Sequence, residues 1–364
     1  MRAVIIAALS LLPTSTASLP PTLSAEALPL EGSAEALEGS AEASDPPSVA
    51  LQAALNATIA ARGPLFTIRQ GTYRFGRADL IVNEARDLAI AGSGAVTLLF
   101  TCNFGVVLRS TVNVTLRNVT VDYDEPCFSQ GPVTAVGESG GSFTYTVDDG
   151  FPLPDAALNP RFGAQITHII IWHAANKSQA CHPGFAGPSC QSNMHGAPKH
   201  LGGRSYSVVG ASPQIGQIVT LGPRQGHTLV LSNASRCVIE SVTIHGASDM
   251  AIGEYGGGGA NVLRGNSVVR HPTRTPQGLL VSNGDIFMSS GASHGPLVEG
   301  NEWSYSGDDC VNIQNYVPVV LRVEGSRALL MDSLGNQELT GASSHKRQSL
   351  ARQQPPVTRS ATAT

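Results

Sequence analysis

The sequence predicts an all-β chain wound as a parallel β-helix, a solenoid in which each circuit stacks on the one before. Three observations carry that prediction. From Pro64 onward, short runs rich in Val, Ile and Leu alternate with Gly, Asn, Ser and Asp, and they are too short and too β-branched for helices. Three strand starts, Val238-Ile239-Glu240, Val262-Leu263-Arg264 and Leu297-Val298-Glu299, recur at offsets of 24 and 35 residues, and self-similarity at such a period marks a solenoid. A Gly-Asn pair returns with the strands, Gly265-Asn266 and Gly300-Asn301, and Asn at a tight bend tolerates left-handed backbone and can ladder with its neighbour. The longer offset reads as the same repeat carrying about a dozen extra residues, in the Pro/Arg/Gly stretch 271–278.

The chain divides in order. Residues 1–17 read as a secretory signal: Arg2, an apolar run from Ala3 to Leu12, then small residues ending at Ala17. Residues 18–63 read as a low-complexity linker, because the repeated Ser-Ala-Glu-Ala units are interrupted by Gly and Pro. Residues 64–124 hold the first β circuits, with period-2 alternation in Val114–Val121. Residues 125–227 break the pattern and read as a β-rich insertion, with Cys181 and Cys190 closing a loop by a disulfide. The pattern resumes over 228–323. Residues 324–364 end Ser/Thr/Arg/Gln-rich and read as a disordered tail.

Composition bounds the function. With 23 Lys+Arg, 27 Asp+Glu and a net charge of -4, the chain has no electrostatic footprint for nucleic acid. No apolar run after the first twenty residues is long enough to span a membrane. The sequons at Asn56, Asn113, Asn118, Asn176 and Asn233 and the even count of 6 cysteines agree with a secreted protein.

The chemistry concentrates in two segments, Ser282-Asn283-Gly284-Asp285 and Ser306-Gly307-Asp308-Asp309-Cys310. Asp308 and Asp309 stand 11 and 12 residues after Leu297, and Asp285 stands near the same offset once the extra residues are removed. These carboxylates are therefore expected in one column on successive circuits, with the register open by one residue. Stacked carboxylates repel and raise one another's pKa, which is what an acid/base pair near neutral pH requires. An inverting glycosidase holds such a pair about 6.5–9.5 Å apart, leaving room for water. In that chemistry one of Asp308 and Asp309 protonates the leaving oxygen, while Asp285 and the other member deprotonate water. A capping Asp and a calcium site are the competing readings of these carboxylates. Asp249, 11 residues after Val238, reads as a cap.

On these residues the chain resembles the right-handed parallel β-helices of the pectin-lyase-like superfamily. Asn283-Gly284-Asp285 followed by Asp308-Asp309-Cys310 is similar to the polygalacturonase pattern, and the string from Ser306 to Tyr316 resembles glycoside hydrolase family 110. That resemblance implies an inverting, exo-acting α-1,3-galactosidase with Asp285, Asp308 and Asp309 catalytic. It also implies further circuits beyond Tyr316, so a chain shortened at its C-terminus is expected. The polygalacturonase Gly-His-Gly and Arg-Ile-Lys motifs do not follow Asp309.

The expected function is a secreted exo-glycosidase acting on terminal α-galactosyl groups of a carbohydrate, needing no cofactor or metal. The alternatives are a non-catalytic glycan-binding or structural β-helix protein, and another pectin-lyase-like enzyme such as a polygalacturonase or a polysaccharide lyase. Arg270, Arg274 and Tyr316 are candidate substrate-binding residues. Cys237 and Cys310 are expected as buried free thiols.

Overall fold

The computed structural model describes residues 47–138, 141–155, 166–180, 191–275, 277–315, 317–324 and 328–334. Among the described residues the chain is mostly β, with two parallel sheets, and the one helix is Pro47–Ala60. A six-stranded parallel sheet runs Leu80–Asn83, Val106–Arg109, Leu229–Ser232, Ile252–Tyr255, Phe287–Ser290 and Val311–Gln314. A larger parallel sheet carries the strands between them. There the three repeated strand starts sit side by side, Val238 against Val262 and Val262 against Leu297. The chain thus visits the same sheets in the same order on successive passes, an arrangement compatible with a β-helix-like fold. The longer repeat has eleven extra residues, which lie between Ser267–Val268 and Phe287–Ser290.

Local chemistry explains the bends. Asn118, Ser241, Gly265 and Gly300 all have φ between 53° and 63°, and each ends a short strand of the larger sheet at the same ladder position. Glycine takes this left-handed backbone without a Cβ penalty. The Asn that follows each glycine faces inward: Asn266 accepts from Val242 N at 2.9 Å and donates to the Ile239 carbonyl at 2.9 Å. Asn301 repeats both bonds one pass later, to Asn266 N and the Leu263 carbonyl. Inside the stack lies one apolar core that includes Leu108, Leu231, Ile252 and Phe287, all fully buried.

Between the early and late passes the chain makes a seven-stranded antiparallel sheet, from Ser129–Val136 to Ile218–Pro223. It has its own core, which takes in Leu279 and Leu280 from the segment leading to Asn283. A disulfide, Cys102–Cys127, ties the last parallel strands before this sheet to its entry. Among the described residues no helix is long and apolar enough to cross a membrane.

Several sequence expectations change. The linker expected to reach residue 63 contains the helix Pro47–Ala60. Pro47 suits the first helical position, and Leu51 and Leu55, four residues apart, bury one face. Gln52 fixes the helix to the sheet by bonding both the N–H and the carbonyl of Ile81 at 2.8 Å. The tail expected from residue 324 begins instead with an antiparallel pair, Val317–Glu324 with Ala328–Leu334, because apolar β-formers persist through Leu334. Residues 1–17, the loop between Cys181 and Cys190, and 335–364 lie outside the described residues. Cys237 is a buried free thiol, but Cys310 is exposed, because its strand is the last of the parallel row.

Closing a 25-residue separation by the Cys102–Cys127 bond should contribute about 3 kcal/mol through lost unfolded-chain entropy. Urea unfolding of the Cys102→Ser/Cys127→Ser double variant is expected to show a loss of that size. An unchanged midpoint would remove the bond from the account of stability.

Candidate active site

The ladder fixes which side chains meet. Ile252, Phe287 and Val311 are direct neighbours, and Ala247, Ser282 and Ser306 form matching bridges just upstream. Counting between these anchors aligns Asp285 with Asp309 and with Met250 before it. The same register aligns Asp308 with Gly284 and Asp249. The open question of register is thereby answered: Asp309, not Asp308, stacks on Asp285.

Serine hydroxyls hold these bends. Ser282 Oγ lies 2.9 Å from the Asp285 carbonyl and 2.6 Å from that of Asp249. Ser306 Oγ repeats the pattern, 3.2 Å from the Asp309 carbonyl and 3.1 Å from that of Gly284. A Ser three residues before an Asp thus pins each Asp-bearing bend to the previous pass. Asn283 fixes the surroundings. Its amide nitrogen lies within 3.1 Å of the carbonyls of Cys127, Pro223 and Ser248, so one side chain joins the entry and exit of the antiparallel sheet to the Asp column. This Asn is a structural tie.

Asp285, Asp308 and Asp309 each place an oxygen within 4.8 Å of the others. Asp285 is 3% exposed and forms the floor, whereas Asp309 is exposed and Asp308 half-buried. Asp285 accepts from Asp309 N at 3.2 Å and from Asn312 Nδ2 at 3.1 Å. Burial, reinforced by the charge of Asp308, pushes its pKa up to about 6 despite those two donors. Arg224, directly after the last strand of the antiparallel sheet, forms an ion pair with Asp308 through Nη2. His168 of the same sheet is pushed down to about 4 by burial and by Arg224, with Asp308 opposing. Gln179 of the insertion donates to the Ser306 carbonyl at 2.8 Å, so the antiparallel sheet forms a wall beside the carboxylates. Oxygens this close also suit a hard cation. The guanidinium of Arg224 already supplies a positive charge to Asp308.

A fourth carboxyl, Asp249, belongs to the same electrostatic group. Burial pushes its pKa up to about 7; Arg224 opposes this, and Asp285 and Asp308 add to it. Its Oδ2 lies 3.6 Å from His227 Nδ1, and His227 Nε2 shares a 2.8 Å hydrogen bond with the Tyr255 hydroxyl. Burial holds His227 down at about 4. Tyr255 is packed on His227 with ring centroids 5.4 Å apart.

The two candidate binding arginines go elsewhere. Arg270 lies over the Tyr305 ring at 3.7 Å, and Arg274 donates to the Tyr123 carbonyl at 2.8 Å beside Asp122. Both line a separate shallow cleft with His245 and His271, and neither forms an ion pair with the three carboxylates. Both belong to the segment between Ser267–Val268 and Phe287–Ser290 that carries the eleven extra residues. Tyr316 lies outside the described residues. Arg224, His168 and His227 were not anticipated, because chain-distant segments bring them in. Asp249 had a usable signal: it follows Val238 by the same 11 residues that separate Asp308 from Leu297.

No protein-family model matches the chain, and no curated protein matches it.

Asp249 gives stability a pH dependence of definite sign. Between its ordinary value of 3.8 and about 7, the folded chain keeps a proton that the unfolded chain has released. Its contribution is therefore present at low pH and lost as pH rises through about 7. Relative to wild type, Asp249→Asn should gain stability between pH 4.5 and pH 8, on the order of 3 kcal/mol. Urea titrations of both proteins across that range measure it, and a pH-independent difference would contradict the buried, proton-holding carboxyl.

Proposed function

We propose that the chain is a secreted glycoside hydrolase of the right-handed parallel β-helix type, acting on terminal α-galactosyl groups. One observation carries the reading: three aspartates from two adjacent passes converge within 4.8 Å on an open face, with Arg224 paired to one of them. Hydrolysis of a glycoside needs a carboxylate that takes a proton from water and a carboxyl that gives one to the leaving oxygen. Asp285 is the base. It accepts two hydrogen bonds, which orient it, and a pKa near 6 makes it a stronger proton acceptor than an ordinary Asp while leaving it ionised at neutral pH. Asp309, stacked on it and exposed, holds the attacking water with it. Asp308 and Arg224 bind the sugar hydroxyls and set the local field. The leaving oxygen takes its proton from Asp308 or Asp309, the two members of the trio that are not buried.

The substrate class comes from the resemblance of the Asp motifs to family 110. Secretion is supported by the disulfide, which persists in oxidising compartments, and by exposure of all five sequon asparagines.

Purified protein incubated with an α-1,3-linked galactobioside should release free galactose, seen first as the β-anomer by proton NMR. Release should be insensitive to EDTA and fall by about 10²–10⁴-fold in Asp285→Asn or Asp308→Asn. The rate should climb with pH through about 6, the limb contributed by Asp285. Binding without release of galactose would point to a glycan-binding protein and end the hydrolase proposal.

A further inference from the structure

We infer that His168 is a substrate-binding residue of this site, holding a hydroxyl of the sugar seated over the three aspartates. The inference rests on the hydrolase reading and adds to it a residue from the antiparallel wall.

Strand pairing turns this side chain toward the acids. His168 lies on the strand Ile166–Trp172, directly opposite Gly222 on Ile218–Pro223. Residues directly opposite each other in an antiparallel pair point to the same face of the sheet. At Gly222 that face is pressed against the Asp column, because a Cβ built there would run into the side chain of Asn283, two residues before Asp285. His168 is therefore presented on the face that packs beside Asn283. Arg224, two residues past Gly222, continues the same wall as far as Asp308. Arg224 and Asp308 are the charged groups that act on the His168 ring. The next residues of its strand, Ile169 to Trp172, are buried in the core of the antiparallel sheet, whereas His168 is half-buried. The imidazole thus stands where the strand leaves that core for the site.

The ring supplies a kind of bond that the charged groups beside it do not. An ionised carboxylate only accepts hydrogen bonds and a guanidinium only donates them, but a sugar hydroxyl does both. A neutral imidazole, with one N–H and one lone pair, does both as well. Burial, and Arg224 after it, push the His168 pKa down to about 4, so the ring is uncharged where Asp285, with a pKa of about 6, acts as a base. His168 takes no part in moving protons. It holds the sugar against the wall while the aspartates do so.

The probes are 4-nitrophenyl α-galactoside and its 2-, 3-, 4- and 6-deoxy analogues, with kcat/KM as the readout. His168→Ala should lose about 10-fold on the parent glycoside and on three of the analogues, and hardly anything on the analogue that lacks the bonded hydroxyl. His168→Phe, which keeps a ring in the wall but no hydrogen-bonding nitrogen, should give the same pattern, and it decides the matter if His168→Ala does not fold. A side chain that only supported the wall would lower all five rates by one factor. That result, with an active wild type, would overturn the assignment and leave the hydrolase standing. A wild type inactive on the nitrophenyl glycoside and on the galactobioside would overturn the hydrolase, and the role of His168 with it.

Discussion

Parallel strands held in fixed register force residues at equal offsets onto one line, and the rest of this structure follows from that constraint. On the line through Ala247, Ser282 and Ser306, the two serines carry hydroxyls that pin successive bends. Two positions on, the line carries Asp249, Gly284 and Asp308, and the next carries Met250, Asp285 and Asp309. Carboxylates stacked at strand spacing repel, and none of them can relax sideways without breaking the ladder. The fold therefore holds acids where water alone would separate them. Burial first, and the charges of the neighbouring acids after it, hold the pKa values of Asp249 and Asp285 well above that of an ordinary Asp.

The antiparallel sheet makes this tolerable. It delivers Arg224 to Asp308, with which it forms an ion pair, while His227 stands beside Asp249. It is fixed there by Asn283, by Gln179 and by a core shared with Leu279 and Leu280. The segment that approaches Asp285 is thus packed into the wall that faces it, so wall and acids are positioned together. Asn283, two residues before Asp285, ties three carbonyls and leaves its own Oδ1 buried without a partner.

Much of this was legible in the residues. The repeat of Val238, Val262 and Leu297 gave the parallel pairing directly, because a strand start that recurs with its bend residues must recur in space when the passes stack. The Gly-Asn bends were legible because left-handed backbone and inward amides leave few residue choices. The helix Pro47–Ala60 was obscured by the repetitive stretch before it; its signal was two leucines four apart, whose partners lie on a distant sheet. Arg270 and Arg274 looked like substrate ligands from proximity in sequence to Asp285, yet the extra residues carry them into another cleft.

Sequence alone determined the β class, the repeat and the placement of the acids near one column, since each is a periodic property of the chain. Tertiary structure decided the one-residue register that stacks Asp309 on Asp285 and aligns Asp249 with Asp308. It also decided which cation meets the acids, because Arg224 lies 84 residues from Asp308 and reaches it only when the antiparallel sheet that ends just before it packs beside the late passes. Periodicity records what a chain repeats; charge pairing across segments depends on distances that no spacing in the sequence records.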